Sequence, residues 1–129
     1  MAGKFLLDTN FAIAILAGEG AALGFLNGSE PTFLSSIVLG ELYYGARKSA
    51  RTASNLAKVE ELAAAFAVLN CDVSTARHYG KIRDLLRAKG RPIPNNDIWI
   101  AAHAQQYELT LVTRDEHFRA VEGIAVEGW

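Results

Sequence analysis

Residues 6–16, "LLDTNFAIAIL", join one apolar run to a second through Asp8, Thr9 and Asn10. The first run shows no alternation, as expected of a short strand covered on both faces, and predicts a strand over residues 4–8. The second predicts a helix over residues 10–17. Asp8 therefore stands where a strand hands the chain to a helix, between two segments that both read as buried. In open α/β sheets this is where ligands gather, at the carboxyl ends of the strands.

The same reading extends along the chain. Further strands are expected over residues 32–35, 66–70 and 109–113, with a weaker one over 124–126. Helical patterns occupy 21–26, 37–49, 52–65, 74–89 and 96–107. In "KGRPIP" (residues 89–94) a helix stop precedes a proline-fixed start. Strand and helix alternate throughout, which argues for an α/β fold with a mainly parallel sheet. No repeat or linker divides the chain, so one domain over residues 1–129 is expected.

Bulk properties narrow the function classes. Half of the 129 residues are hydrophobic and 21% are charged, as in ordinary globular domains. A formal charge of -1 gives no global positive field, so any nucleic-acid contact must use a local patch. Cys71 is the single cysteine, which excludes an internal disulfide and a cysteine zinc cluster and suits a reducing cytoplasm. No signal-peptide pattern and no apolar run long enough for a membrane span is present.

The polar groups at the strand-to-helix junctions are acidic. Asp8 follows the first strand, Asp115 follows the fourth in "TRDEHF", and Asp97 opens a helix in "PNNDIWIAAHA". Glu41 lies within the helical pattern of "SSIVLGELYYGA". Each has an ordinary explanation. Asp8 can cap the helix after it, and Asp97 suits the positive end of a helix dipole. Thr113 and Glu116 have capping-box spacing, which would place Asp115 in a first turn. Glu41 would need a rolled helix, or Arg47 or Lys48 folded back upon it, because Ile37, Val38, Leu42 and Tyr44 put it beside an apolar face.

Taken together the four acids suggest more. Carboxylates about 5 Å apart repel by roughly 3 kcal/mol per pair at an effective dielectric near 20. A cluster of them needs protons or a cation. Oxygen donors without cysteine or histidine suit Mg²⁺ or Mn²⁺ better than zinc. Such ions activate water and neutralise charge in phosphodiester hydrolysis. Rival motifs fail: "GEGAALG" follows a helix and lacks dinucleotide-loop spacing, and position 10 is not the second Asp of an aspartyl phosphatase. His78, His103 and His117 lack zinc-protease spacing and read as ordinary core or surface histidines.

Four blocks carry a family resemblance: "LLDTN", "SSIVLGELYYGA", "YGKIRDLLRAKGRPIPNNDIWIAAHA" and "LTLVTRDEHFRAVEGIAVEGW". In this order and spacing the chain resembles the PIN-domain ribonucleases, specifically the VapC toxins of bacterial toxin–antitoxin pairs. The resemblance implies a three-layer α/β/α sandwich with a five-stranded, mainly parallel sheet. It also implies a metal-dependent endoribonuclease restrained by a VapB-type antitoxin, cytoplasmic and homodimeric. Asp8, Glu41, Asp97 and Asp115 match the family acids, with Asp8 and Asp97 as primary ligands of Mg²⁺ or Mn²⁺. Thr9 and Asn10 match the family's hydroxyl and amide beside the first acid; with metal chemistry, Thr9 would hold the attacking water, and Asn10 and Thr113 would orient carboxylates. The rival reading is a PIN-like RNA- or protein-binding module without catalysis.

Residues 77–91 hold Arg77, Lys81, Arg83, Arg87, Lys89 and Arg91 against a single acid, Asp84. This is either a solvated helix face or a phosphate-tracking rim, with Arg47, Lys48 and Arg51 as a second patch. Tyr43, Tyr44 and Trp99 read as core or dimer-interface residues rather than base-stacking platforms.

Overall fold

Short, fully apolar strands bounded by polar caps leave the chain one way to bury both faces of its sheet, and the computed structural model takes it. Residues 4–27 and 31–129 are described; residues 1–3 and 28–30 of the expected domain lie outside them. Five parallel strands pair in the order β3-β2-β1-β4-β5. They are β1 (Phe5–Leu7), β2 (Thr32–Ser35), β3 (Ala67–Leu69), β4 (Thr110–Val112) and β5 (Ala125–Glu127). Leu6 sits between Phe33 of β2 and Leu111 of β4. Leu6, Leu7, Leu34, Leu111 and Val112 have no exposed surface. The central strands are thus covered on both sides.

The helices are α1 (Thr9–Leu16), α2 (Gly20–Leu26), α3 (Ser36–Arg47), α4 (Thr52–Ala65), α5 (Val73–Ala88) and α6 (Asn95–Gln106). Right-handed crossovers carry the chain from β1 to β2 to β3 with α1–α4 on one face. The return from β3 to β4 places α5 and α6 on the other. The contacts agree, since α1 packs on α3 and α4 while α5 packs on α6. The result is the expected three-layer sandwich. No single helix among the described residues is long and apolar enough to cross a membrane.

The expected elements are all present, with shifted ends. β1 and β4 stop one residue early because Asp8 and Thr113 serve as caps and turn residues instead. Gly90, at φ +67°, ends α5 in a left-handed turn, and Pro94 occupies the N-cap of α6. A 3-10 helix over Glu116–Ala120 was not expected; the fully buried Phe118 anchors it. The proposed Thr113–Glu116 capping box is absent. Asp115 caps this turn, its Oδ1 accepting from the His117 amide at 2.9 Å.

The end of the chain closes the layer over α1. Trp129 packs on Phe11 with ring centroids 4.8 Å apart, and Phe25 meets Phe11 edge-on at 5.4 Å. Phe11 is wholly buried. Phe11→Ala should therefore cost about 3–5 kcal/mol in urea unfolding, as truncation of a packed aromatic does. A loss below about 1 kcal/mol would mean that this cluster does not hold the layer in place.

Candidate active site

The strand order reverses between β1 and β4, whose connections leave in opposite directions and open a crevice at their carboxyl ends. Asp8 follows β1 and the Thr113–Asp115 turn follows β4, so both are delivered to this crevice by adjacent strands. Glu41 comes from the second turn of α3, which Ser35 starts by accepting from the Ile37 amide. Asp97 comes from the first turn of α6. All four carboxylates line one cleft of about 530 Å³, together with Thr9, Asn10, Asn95 and His117.

Asp8 is only 3% exposed. Its Oδ1 accepts from the Thr9 amide at 2.7 Å and its Oδ2 from the Thr113 hydroxyl at 2.6 Å. The capping role and the cleft position thus belong to the same side chain. Thr113 Oγ1 in turn accepts from the Asp115 amide at 2.9 Å, tying the two acids through one hydroxyl. Thr9 Oγ1 donates to Glu41 Oε1 at 2.6 Å, so it supports that carboxylate. Asn10 is exposed and, among the described residues, makes no hydrogen bond to any of the acids. The orienting role expected of Asn10 is not seen.

No cation among the described side chains neutralises Glu41. Lys48, one of its expected partners, lies instead over the Tyr44 ring at 5.0 Å. Arg114, between Thr113 and Asp115 in sequence, is turned away from the cleft. It stacks on Trp129 at 3.5 Å, donates to the Trp129 carbonyl at 2.7 Å and pairs with Glu19.

The charge gathered here is visible in the protonation equilibria. Burial pushes the Asp8 carboxyl up, and the charges of Asp115 and Glu41 add to it against the Thr113 and Thr9 hydrogen bonds. Asp97 is raised to about 6, first by burial and then by Asp8 and Asp115, with His117 opposing.

His117 is the residue that the sequence did not reveal. Read as an ordinary histidine, it instead places Nδ1 3.3 Å from both Asp97 Oδ2 and Asp115 Oδ1. Its signal, an Asp-x-His spacing, acquires meaning only from the 3-10 turn that folds it back. His103 is a core residue as expected, and His78 is half-buried against Gln105.

The basic residues divide. Arg83 and Arg87 line a groove of about 550 Å³ between α5 and the start of α6, which meets the acidic cleft at Asn95. Arg77, Lys81 and Arg91 are exposed but do not line that groove. Lys89 is held by the Ala120 carbonyl and Glu122. Trp99 stacks on Tyr79 at 4.1 Å and Tyr43 hydrogen-bonds to Glu60, both half-buried. Tyr44 is 67% exposed and so is no core residue.

The PIN-domain family model matches residues 5–124. The chain belongs to the PIN-domain family, among its VapC ribonucleases. The tRNA(fMet)-specific endonuclease VapC of Salmonella typhimurium is 38% identical to this PIN domain, with 98% of each chain covered. The DNA-bound VapBC structure from Salmonella typhimurium aligns at a TM-score of 0.89 and 40% identity over 99% of each chain. VapBC-5 of Mycobacterium tuberculosis, from the VapBC family of toxin-antitoxin systems, aligns at 0.74 and 30% over 98% of each.

The raised Asp97 fixes a sign. The folded state holds its proton more tightly than the unfolded chain, whose Asp loses it near 3.8. In metal-free buffer, stability should therefore fall as pH rises from about 4 to about 6 and stay low above that. Asp97→Asn should remove the loss, gaining up to about 2–3 kcal/mol near pH 7.5 and little near pH 4 in urea unfolding with chelator. An Asn variant less stable than the parent near pH 7.5 would contradict the assignment.

Proposed function

We propose that this PIN domain is an endoribonuclease toxin that hydrolyses RNA phosphodiester bonds with Mg²⁺ or Mn²⁺ and is silenced by a VapB-type antitoxin. The observation that carries the reading is the convergence of four carboxylates, two of them with raised pKa values, at the reversal point of the sheet. So much uncompensated negative charge in a half-buried cleft fits a hard divalent cation. Asp8 and Asp97 are the residues we assign to hold it. When bound, the ion activates water and neutralises charge on the phosphate. Thr113 and the Thr9 amide fix the orientation of the Asp8 carboxylate. Thr9 Oγ1 fixes Glu41, whose Oε2 is left to accept from a water beside the scissile phosphate. Asp115, tied to Thr113, completes the acidic set. The complete set also weighs against a PIN-like module that only binds RNA or protein.

RNA would approach along the groove of Arg83 and Arg87, which reaches the cleft at Asn95. For the antitoxin we assign the opposite side. There an apolar groove of about 370 Å³ between α1, α3 and α4 is lined by Ile13, Leu16, Leu42 and Val59 and ends on Thr9 and Glu41. An amphipathic helix suits such a groove. The assembly proposed is a homodimer, free or joined to antitoxin chains.

Because relatives are named for tRNA(fMet), initiator tRNA is the first substrate to test. The purified protein with Mg²⁺ or Mn²⁺ should cleave it or another structured RNA, and Asp8→Asn should lose more than about 100-fold, beyond the 10–100-fold typical of disturbing a ligand's support. Equal cleavage by both proteins, or none by either, would refute the reading.

The RNA path has its own test in the Asp8→Asn background, where uncut RNA can be titrated. Arg83→Ala and Arg87→Ala should each lower the salt slope of binding by about one, and Arg77→Ala should leave it unchanged. An effect of Arg77 equal to that of Arg83 would favour a diffuse helix face over the groove.

A further inference from the structure

We propose that His117 is a nitrogen ligand of the active-site cation, and that the resulting mixed donor set favours Mn²⁺ over Mg²⁺. The inference rests on the metal-dependent reading above and narrows it.

The geometry points to the imidazole. One ligand atom from each of Asp97, Asp115 and His117 lies within 4.8 Å of the other two. An ion with bonds near 2.1 Å holds its donors within about 4.2 Å of one another, so a small side-chain rotation closes the set. His117 is half-exposed and has that freedom. Its backbone does not. Asp115 accepts from the His117 amide, and the next residue, Phe118, is fully buried. The ring is thereby kept over the two carboxylates. Among the described residues, its Nδ1 has no other partner than Asp97 and Asp115.

The chemistry then sets the preference. An all-oxygen site suits Mg²⁺ and Mn²⁺ alike, whereas imidazole is a softer donor that suits transition metals. Mg²⁺ demands near-ideal octahedral oxygen geometry and keeps its waters, so it gains little from a nitrogen. Asp97 is common to this trio and to the Asp8–Asp97 pair assigned above, so adding His117 to that ion's donors raises its affinity for Mn²⁺ more than for Mg²⁺. The competing account is that Nδ1–H only bridges the two carboxylates as a hydrogen-bond donor. A glutamine at this position keeps such a donor and is a weak ligand, which separates the two accounts.

The experiment uses the full chain loaded with Mn²⁺ alone near pH 7.5. Electron spin echo modulation should show the ¹⁴N coupling of a coordinated imidazole in the parent and lose it in His117→Gln. Calorimetry should show the Mn²⁺-to-Mg²⁺ affinity ratio falling by about tenfold or more in His117→Gln, within the usual range for disturbing a metal site. Bound Mn²⁺ without nitrogen coupling in the parent, or an unchanged ratio in the variant, would overturn the role of His117 and leave the divalent-metal nuclease reading intact. Failure of the parent to bind Mn²⁺ at all would overturn both.

Discussion

A carboxylate with 3% of its surface exposed stays ionised only if donors replace the water it has lost, and Asp8 has two. The Thr9 amide is supplied by the start of α1, and the Thr113 hydroxyl by the strand next to β1. Neither donor is adjustable. The amide is fixed by the helix, and Thr113 is fixed by its own backbone bond to Glu127 and by the Asp115 amide upon its oxygen. The strand pairing of β1 with β4 is therefore what sets the direction of the Asp8 oxygens. The other acids arrive at a carboxylate whose position is already decided.

Those arrivals are costly to the fold. Burial and mutual repulsion raise both Asp8 and Asp97, which is the mark of charges held together without a counter-ion. Among the described residues His117 is the one basic group that opposes this; Arg114 is bound to Trp129 and Glu19, and Lys48 lies over Tyr44. Residues that destabilise the protein in isolation in this way are those whose role is completed by something bound. The cost is borne by central strands covered on both faces and by the packing of Phe11 against Phe25 and Trp129.

Much of this was legible in the sequence because strand identity and acid placement are local matters. Leu6, Leu7, Leu34 and Leu111 lie in runs too short and too apolar for anything but covered strands, and the acids stand at their ends. Where the reading failed, the deciding contact was long-range or depended on a turn. The Thr9 hydroxyl donates to Glu41, thirty-two residues away, a contact that no local pattern announces. Thr113 does not form the capping box its spacing suggests; its hydroxyl reaches Asp8 across the sheet, in line with the carboxylate-orienting role expected of it. His117 looked ordinary until a 3-10 turn with no periodic signature folded it over Asp97. Tyr44 has the residue type of a core position and the helical phase of a surface one, and phase decides.

The cleft also has two unlike ends, and this bears on how one protein can be both active and held inactive. Glu41 acts on Asp8, while Asp97 feels Asp8 and Asp115. The acids thus form a chain with Asp8 at its middle. At one end, Thr9 and Glu41 border the apolar groove of α1, α3 and α4; at the other, Asn95 opens onto the groove of Arg83 and Arg87. A partner seated in the apolar groove need not cover the RNA path to stop the enzyme. A cationic side chain at its tip would meet Glu41 first, compete with Thr9 for that carboxylate, and alter the field at Asp8 through one intervening contact. Inhibition would then act on the residue that every other part of the site depends on, from the side away from the groove proposed for RNA.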